Sequence, residues 1–511
     1  MHKIKKYIGV SLAAVLLASC GPTAQEGVSL RVRFATTQQA QSDPTGLPLG
    51  VHSFKVTAYS GDAQGLIVGE TECIDLSAAD QRVSVNLDLE PQDELVLVAE
   101  GYGSPGCSST AEWMGMAVGV LVEEGKEIKV PIYVTRRDMN LNGTNASLSP
   151  GRAFATATIL PKGRVLIAGG FKSEAGSSQL TATAEAWIYD LGTATCRRIK
   201  RMSESRALHQ ALVLSDGRVM LVGGAKELRL TYQPGSFFQL SPIGSVTTAD
   251  LFDPDELTFT RIGPNQEVSR MIAAAEVLSG DRIVMLGGRT SELMTNDIVV
   301  GVKSGETSWD WTKLSSKLEI VRSQALAVAS TEVIMVVGGN ETGTQPVEFR
   351  GTASFAPLAV VLNMSTDLSV TGHSLVKIDD GQALVIGGLP GLAGVSPLDA
   401  LVKISFNNTS ATAAEHLLGR ARAYHSAARM QDGKVLLAGG LDGDLQADND
   451  LELVDPQLMN SEALSGLQLD NGSVGIATAL LPDGSILLVG GLDFDQAGAP
   501  TPSDVVSLLS P

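Results

Sequence analysis

Short apolar runs followed by a pair of glycines recur seven times along the chain and set its pattern of predicted elements. The copies are LPKGRVLIAGG, LSDGRVMLVGG, LSGDRIVMLGG, ASTEVIMVVGG, IDDGQALVIGG, MQDGKVLLAGG and LPDGSILLVGG. A run that is apolar at every position predicts a buried strand, and the Asp-Gly that precedes four of the runs is typical of a tight hairpin turn. Glycine then permits a positive φ and a close approach of neighbouring backbone. Each copy therefore predicts a hairpin whose second strand is buried and ends in a glycine turn.

The spacing of the copies predicts how these hairpins assemble. They lie about 50 residues apart, and their glycine pairs end at Gly170, Gly224, Gly288, Gly339, Gly388, Gly440 and Gly491. A repeat of this length cannot bury its apolar faces alone, so neighbouring repeats must pack together. A closed ring of small sheets does this without leaving long open edges. The pattern therefore predicts an all-β fold.

The same repeats resemble the kelch family. In each, a turn, an apolar strand and a double glycine precede a variable loop and a third strand that ends as in WIYDLG, ADLFDP or LELVDP. The resemblance covers about residues 137–511 and implies a seven-bladed kelch-type β-propeller. The aromatic residues that kelch repeats carry further on are mostly missing, apart from Trp309 and Trp311, and the repeat at 339–369 departs most.

The two ends of this region are expected to meet in one blade. The seventh repeat stops at SDVVSLLSP, a third strand with no fourth strand after it. The segment LNGTNASLSPGR, before the first repeat, has the pattern of a fourth strand. We therefore predict that residues 141–149 complete the last blade.

Residues 28–136 predict a separate β unit. Six short segments alternate apolar and polar positions: VSLRVRFA, VHSFKVTAY, QRVSVNLDL, ELVLVAEGY, WMGMAVGVL and KEIKVPIYV. Turn-rich pieces separate them, and this density of strands is typical of a β-sandwich, either immunoglobulin-like or transthyretin-like. We expect it to act as a spacer or adhesion module.

The N-terminus predicts export and a lipid anchor. Residues 1–19 have a basic start and the apolar run VSLAAVLLA, which is too short for a membrane span and is typical of a leader. The leader ends in Leu17-Ala18-Ser19-Cys20, which resembles the bacterial lipoprotein processing site. That resemblance implies lipidation of Cys20 and, because Gly21 follows, an outer-membrane location on either its periplasmic or its surface face. Residues 20–27 then form a tether. The alternative is an ordinary cleaved leader with a chance cysteine.

The net charge and the cysteines indicate which kinds of partner and which cellular compartment are expected for the chain. The net charge is −18, and loss of a leader with three lysines and no acids makes it −21. An acidic chain of this kind disfavours binding to nucleic acid through a basic patch. Cys73 and Cys107 lie in the same exported unit and predict a disulfide, whereas Cys196 is alone in the first repeat.

Two adjacent repeats place aspartates at the same positions after their glycines. GGLDGD supplies Asp442 and Asp444, and GGLDFD supplies Asp493 and Asp495. These loops share one rim of the predicted ring. Carboxylates that converge from neighbouring loops suit calcium, which favours several oxygen ligands. The alternative is that they are solvated turn residues. Calcium is the one cofactor that the sequence suggests.

The longest loop follows the second glycine pair and is rich in aromatic residues. It reads AKELRLTYQPGSFFQLSPIGSV and contains Tyr232, Phe237 and Phe238. Exposed on a rim, these rings could stack on a sugar or anchor a partner protein. The alternative is that they fold back and cap the blade.

Catalytic signatures are weak. Five arginines occupy one register at the start of the repeats, with His209 and His425 three residues on, and we interpret them as structural because they recur: Arg152, Arg206, Arg270, Arg322 and Arg422. Galactose oxidase resembles the chain in having kelch-type blades, but its copper site implies two histidines, two tyrosines and a cross-linked cysteine. Nucleophile-elbow, HExxH and P-loop motifs are absent from the sequence.

These observations favour a binding protein over an enzyme. We expect a non-catalytic, lipid-anchored envelope protein whose propeller binds a protein or glycan. The alternatives are a carbohydrate-active enzyme of oxidase, lyase or epimerase type and a purely structural envelope protein.

Overall fold

The structure is a computed structural model, and it is all-β. It describes residues 27–34, 51–61, 63, 65–76, 82–87, 89–123, 127–137, 140–173, 179–291, 293–339, 346–391, 396–470, 472, 474–496 and 498–510. The leader at 1–19, Cys20 and the tether up to residue 26 lie outside these ranges. The helices in the described residues are three short 3-10 turns: Pro105–Cys107, Pro161–Gly163 and Gln266–Val268. None of them is long and apolar enough to cross a membrane.

The N-terminal strands form one sheet. Their bounds are β1 (Gly27–Phe34), β2 (Ser53–Ser60), β3 (Leu66–Glu70), β4 (Ile74–Asp75), β5 (Arg82–Leu87), β6 (Gln92–Tyr102), β7 (Ala111–Val122) and β8 (Glu127–Arg136). The order is β3-β2-β6-β7-β8-β1-β5, with β4 beside β2. All pairs are antiparallel except β1 with β8.

The six strands predicted in this region are confirmed, with two differences from the sequence-based expectation. The short strands β3 and β4 were not predicted. The described strands also belong to one hydrogen-bonded sheet, where a sandwich has two. The edges of this sheet approach each other, because a Cβ added to Gly69 of β3 would lie 3.3 Å from the Leu87 side chain of β5. The sheet thus curves around an apolar core to which Phe54 and Leu97 contribute.

The predicted disulfide is confirmed. Cys73 and Cys107 are bonded, with their Cα atoms 5.9 Å apart. The backbone N–H of Cys107 also donates to Ser53 Oγ at 2.9 Å. This hydrogen bond fastens the surface turn that contains Cys107 to β2.

The rest of the chain forms seven successive sheets, numbered here 1 to 7. Sheet 1 consists of β10 (Thr156–Leu160), β11 (Arg164–Ala168), β14 (Ala186–Asp190) and β15 (Thr195–Arg198). Sheet 2 consists of β16 (Gln210–Val213), β17 (Val219–Val222), β20 (Ala249–Asp253) and β21 (Thr258–Ile262). Sheet 3 consists of β22 (Ala274–Leu278), β23 (Arg282–Leu286), β24 (Thr295–Lys303) and β25 (Trp309–Arg322). Sheet 4 has three strands, β26 (Leu326–Ala329), β27 (Val333–Val337) and β28 (Val347–Gly351).

Sheets 5 to 7 complete the series. Sheet 5 consists of β30 (Ser374–Asp379), β31 (Gln382–Ile386), β33 (Ala400–Phe406) and β34 (Ala411–Leu417). Sheet 6 consists of β35 (Ser426–Arg429), β36 (Val435–Ala438), β37 (Asp450–Asp455) and β38 (Asn460–Gln468). Sheet 7 consists of β39 (Ala477–Leu480), β40 (Ile486–Val489), β43 (Val505–Ser510) and β9 (Asn140–Ser147). In each sheet the apolar run of the repeat is the second strand, and it is buried as predicted.

Three further sheets lie outside this series. One, which we call the cover sheet, consists of β12 (Phe171–Ser173), β13 (Gln179–Ala182), β18 (Ala225–Gln233) and β19 (Phe237–Ser245). The other two are pairs: β29 (Val370–Thr371) with β32 (Leu389–Pro390), and β41 (Leu492–Phe494) with β42 (Pro500–Pro502).

The predicted completion of the last sheet is confirmed. Strand β9 pairs antiparallel with β43, with Leu141 opposite Leu509 and Ser147 opposite Val505. The repeat at 339–369, which departs most from the pattern, lacks a regular fourth strand. Its chain after β28 is held by an isolated bridge between Arg350 and Pro357.

Glycine pairs link neighbouring sheets at six of the seven junctions. The second glycine donates its N–H to a carbonyl at the start of the following sheet, in the bonds Gly170 to Arg206, Gly224 to Arg270, Gly288 to Arg322, Gly339 to Val370, Gly388 to Arg422 and Gly491 to Arg152. The last bond joins sheet 7 to sheet 1, and the first strands of these two sheets contact each other as well. These six bonds leave the junction of sheets 6 and 7, where the first strands β35 and β39 contact each other.

Candidate functional site

The five arginines of the shared register hold the glycine turns. Each donates from Nη1 to the carbonyl of the first glycine of its own sheet, in the pairs Arg152–Gly169, Arg206–Gly223, Arg270–Gly287, Arg322–Gly338 and Arg422–Gly439. Each also pairs with a carboxylate on or just before the third strand. In sheet 2, Arg206 Nη2 lies 2.6 Å from Asp250 Oδ2, and both side chains are fully buried. The structural interpretation of these arginines is confirmed.

An open cavity of about 280 Å³ is lined mainly by the residues that immediately precede the first strands of the seven sheets. Two residues after the arginine position, the chain adopts a left-handed conformation in all seven sheets, at Phe154, Leu208, Ile272, Gln324, Gly372, Tyr424 and Gly475. All seven residues line the cavity.

These turns are bonded to one another around the cavity. Leu208 N donates to Phe154 O at 3.2 Å, and Phe154 N donates to Gly475 O at 2.8 Å. The chain of bonds continues as Gly475 N donates to Tyr424 O at 3.2 Å and Tyr424 N donates to Gly372 O at 2.6 Å. The wall of the cavity is therefore a bonded backbone frame whose left-handed residue carries a side chain in five sheets and is glycine in sheets 5 and 7.

Three histidines occupy the next position of the frame. His209, His373 and His425 line the cavity from sheets 2, 5 and 6, whereas sheets 1, 3, 4 and 7 have Ala155, Ala273, Ala325 and Ile476 there. His209 Nε2 lies 3.0 Å from Thr156 Oγ1. Neither ring nitrogen of His373 or of His425 has a hydrogen-bond partner among the described residues. Both side chains are more than nine-tenths buried, at 6% and 7% exposure.

Burial keeps these imidazoles uncharged. It lowers the pKa of His373 to about 4. The pKa of His425 falls to about 3, first through burial and then through the positive charge of Arg422. Burial and the charge of Arg206 lower the pKa of His209 to about 3 as well. At neutral pH each ring is a neutral imidazole with one donor and one acceptor nitrogen.

A tyrosine and an amide complete the polar lining. Tyr424 Oη donates to Gln324 Oε1 at 3.0 Å, which connects sheet 6 with sheet 4. Burial raises the pKa of Tyr424 to about 12, so its hydroxyl stays protonated. No carboxylate, lysine or arginine is found among the described residues that line the cavity. The site is uncharged, with a few polar groups in a largely apolar lining.

The aromatic loop folds over this region. The sequence left open whether the aromatic rings are exposed or fold back onto the blade. In the structure Tyr232 and Phe238 fold back and are 8% and 0% exposed, whereas Phe237 is half-buried. These two rings fold back because the hairpin β18–β19 is long enough to reach the loops of sheets 6 and 7, and ligand binding by Tyr232, Phe237 and Phe238 stays a prediction. Tyr232 Oη donates to Leu445 O at 2.9 Å, and the Phe238 and Tyr424 ring centroids are 4.9 Å apart.

The hairpin tip meets the loops that carry the predicted acidic residues. A Cβ added to Gly235 would lie 3.8 Å from the Asp444 carbonyl oxygen, and one added to Gly498 would lie 2.7 Å from the Tyr232 carbonyl oxygen. The structure thus brings the aromatic loop beside both acidic loops.

The aspartates themselves accept bonds from nearby backbone. Asp442 Oδ1 accepts from the N–H groups of Asp444 and Gln446, and Asp495 Oδ1 accepts from Ala499 N at 2.8 Å. Asp493 Oδ1 accepts from Gly472 N at 2.7 Å. Throughout the described ranges, no group of three or more His, Cys, Asp or Glu side chains is arranged to hold a metal. Calcium binding at Asp442, Asp444, Asp493 and Asp495 stays a prediction.

Sequence reasoning missed the histidine site. His209 and His425 were interpreted as structural because they share a register, and His373 was not connected with them because Val370 replaces the arginine there. The available signal was the repeat alignment itself, which places histidine three residues after the arginine position in only three of seven copies.

No family model and no curated protein matches the chain. Among solved structures, it is similar to a fungal alcohol oxidase of the AA5 family in complex with copper, described as having catalytic diversity. The identity is 17%, the TM-score is 0.56, and the match covers 73% of this chain and 76% of that one. At this identity the likeness concerns the fold.

The likeness corrects one expectation from the sequence. The chain was expected not to be an enzyme, and the structure that it resembles is an enzyme. The weak catalytic motifs had suggested the opposite, because a site assembled from separate sheets leaves no local motif.

The residues described here do not fit copper. They form no group of three or more metal-ligating side chains of the His, Cys, Asp and Glu types. The free thiol of Cys196 is half-buried on β15, and burial raises its pKa to about 12, which disfavours the thiolate that a metal requires.

Proposed function

We propose that the chain is a lipid-anchored protein of the bacterial outer membrane whose kelch-type, seven-bladed β-propeller binds a protein or glycan partner. The glycine-pair repeats, the seven successive sheets and the bond from Gly491 to Arg152 support the propeller. The leader and the segment Leu17–Cys20 support the anchor.

The observation that carries the binding role is the surface around the hairpin tip, residues 234–236. Half-buried Phe237 follows this tip, and Asp442, Asp444 and Asp495 lie on the loops of sheets 6 and 7 that face it. The Tyr232–Leu445 bond fixes the tip against these loops. A preorganised surface loses little conformational entropy on binding, and clustered carboxylates attract positive charge. This acidic tip surface therefore fits a partner with exposed lysine or arginine.

Cross-linking in native envelopes tests the partner. The variant Asp442→Asn/Asp444→Asn/Asp495→Asn removes three charges while keeping the oxygen acceptors of the turns, and we expect it to lose the cross-linked partner. Asp255→Asn/Glu256→Gln/Asp432→Asn removes the same charge from turns at the other ends of the strands and should retain it. Equal yields from wild type and both variants would exclude this surface.

Membrane fractionation tests the anchor. Cys20→Ser removes the thiol that would be lipidated, so the protein should appear in the soluble fraction or keep its leader. Unchanged fractionation and processing would contradict the lipid anchor.

A second candidate is an enzyme that acts on carbohydrate. The similarity of the fold to an alcohol oxidase supports it, as does the presence of Tyr424 and three imidazoles in one cavity. Incubation of the purified protein with oligosaccharides, followed by mass spectrometry, tests it. Unchanged substrates would exclude this candidate for those sugars.

A further inference from the structure

Sheet 4 differs from the other six sheets at its outer edge. Within the described residues it ends at its third strand, β28, whereas each of the other sheets has a fourth strand paired there. The chain that follows β28 still has the composition of a strand, because residues 357–366 read PLAVVLNMST. Valine in particular is frequent in strands. We call residues 358–364 the edge segment.

The edge segment has the side-chain pattern of an extended chain. Leu358, Val360, Leu362 and Met364 are half-buried, and the residues between them are exposed. This period of two is characteristic of a strand with one covered face. The half-buried side chains pack against the apolar cluster that sheets 4 and 5 share. The segment is therefore held as a strand by its side chains.

Both ends of the edge segment are fixed to neighbouring sheets. At its start, Leu358 N donates to Phe349 O of β28 at 3.0 Å. Just beyond its end, the carboxylate of Glu415 on β34 accepts from the backbone N–H groups of Ser365 at 2.8 Å and Thr366 at 2.6 Å. A segment that is fixed in this way loses little conformational entropy when it binds a partner.

The outer backbone groups of the edge segment are unpaired. Ala359, Val361 and Asn363 make no hydrogen bond with any described residue. In an extended chain, alternate residues direct their N–H and C=O groups to opposite edges. Because the N–H of Leu358 is directed to β28, these three residues direct theirs away from it. An exposed row of unpaired donors and acceptors is a template for another strand.

We propose that the edge segment binds an extended peptide of a partner protein, which adds to it as a further strand. In this mode main-chain hydrogen bonds supply the affinity, and alternate side chains supply the preference. Val361 is 73% exposed, so an apolar or β-branched residue of the partner fits opposite it. A second copy of this chain is a poorer partner, because two chains that each carry a net charge of −18 repel each other.

The proposal goes beyond the proposed function. It concerns the outer edge of sheet 4, whereas the acidic tip surface lies on the hairpin tip and on the loops of sheets 6 and 7.

Panning a phage-displayed library of random linear peptides on the purified full-length protein tests the proposal. For each selected peptide, two synthetic analogues are N-methylated on alternate residues, so that each loses the N–H donors of one edge. One analogue should bind about tenfold or more weakly, because it lacks the pairing donors, and the other should bind as the parent does. Equal binding by both analogues would overturn the proposal.

The variant Val361→Pro assigns the site. Proline has no backbone N–H and cannot donate to an added strand, so the variant should bind the selected peptides about tenfold or more weakly. Val361→Thr keeps the N–H and the preference for a strand, and as the matched control it should bind as the wild type does. Both variants should melt as the wild type does, because Val361 N bonds to no described residue.

Three further results would count against the proposal. Equal binding by Val361→Pro and Val361→Thr would place the peptide elsewhere. Selection of no peptide would show that water alone satisfies the edge groups. A wild-type dimer in size-exclusion chromatography that Val361→Pro abolishes would assign the edge to a second copy. The test involves neither the membrane nor the acidic tip surface, so its failure leaves the proposed function standing.

Discussion

Buried arginines stabilise each glycine turn at the scale of single residues. Arg206 donates to the carbonyls of Leu221 and Gly223 and pairs with Asp250, and neither charged side chain is exposed. Breaking such a pair leaves one charge buried without compensation, which costs more than the pair itself contributes.

We therefore expect Arg206→Ala to be severely destabilising. The free energy of unfolding should fall by about 3–5 kcal/mol, because the buried carboxylate of Asp250 loses its counter-charge. Arg261→Ala, whose side chain is 53% exposed and lies 4.0 Å from Glu204, should cost about 1 kcal/mol or less. Urea unfolding compares the two, and similar losses would contradict the interpretation.

The cavity histidines predict a dependence of stability on pH. Their pKa values fall from 6.5 to about 4 for His373 and about 3 for His209 and His425. Below about pH 6.5 the unfolded chain binds protons at these sites and the folded chain does not, so stability falls as the pH falls towards about 4. Each histidine contributes a slope of up to about 1.4 kcal/mol per pH unit.

The carboxyl group of Glu276 acts in the opposite direction. Burial raises the pKa of Glu276 on β22 from 4.5 to about 7, so the folded chain binds this proton more tightly and its contribution is lost as the pH rises through that window. Comparing variants separates the effects. His373→Leu/His425→Leu should show a smaller loss of stability between about pH 7 and pH 4.5 than the wild type in urea unfolding, and parallel curves would contradict the burial of neutral rings.

At the scale of elements, the glycine pair is both the end of a strand and the junction with the next sheet. Gly387 has φ +58°, and an added Cβ would lie 2.2 Å from the Arg422 carbonyl oxygen. That oxygen already accepts from Gly388 N at 2.7 Å. The same two glycines therefore end the strand, form the turn and bond to the next sheet.

Gly387→Ala should open the junction between sheets 5 and 6. We expect a loss of about 3 kcal/mol or more, from the left-handed backbone and the collision together. Gly433→Ala is the matched control, because Gly433 also has a positive φ, +88°, but no atom lies within 4 Å of an added Cβ. It should cost only about 1–2 kcal/mol. Thermal melts that rank the two variants equally would contradict the role of close approach.

At the scale of the whole molecule, an early strand closes the last sheet. Strand β9 covers the edge of β43, and Thr144 Oγ1 donates to Val506 O at 2.6 Å. Without β9, the edge of a buried apolar strand with Leu508 and Leu509 would be open to pairing with other chains.

Two truncated chains isolate this strand. A chain of residues 137–511 keeps β9, whereas a chain of residues 148–511 lacks it, and neither contains the N-terminal sheet. The shorter chain should melt about 5 °C or more below the longer one and should aggregate. Equal melting curves and equal monomer content in size-exclusion chromatography would show that β9 is dispensable.

Much of this architecture was determined by the sequence alone. The seven copies of the glycine-pair phrase predicted seven second strands, and LNGTNASLSPGR predicted the closing strand, because both depend on local pattern and repeat spacing. The disulfide of Cys73 and Cys107 was predictable because only these two cysteines share one exported unit. The irregular fourth sheet was also foreseeable, since its repeat had lost the most pattern.

Only the tertiary structure decided where the long aromatic loop lies and what the histidines face. Tyr232 bonds to Leu445, 213 residues away, and Tyr424 bonds to Gln324, 100 residues away. Contacts over such separations depend on how the sheets are arranged, and no local periodicity encodes them. The same arrangement places His209, His373 and His425 around one cavity, where burial makes them neutral. Strand order follows from local pattern, whereas the chemistry of the cavity follows from how the turns of seven separate sheets pack together.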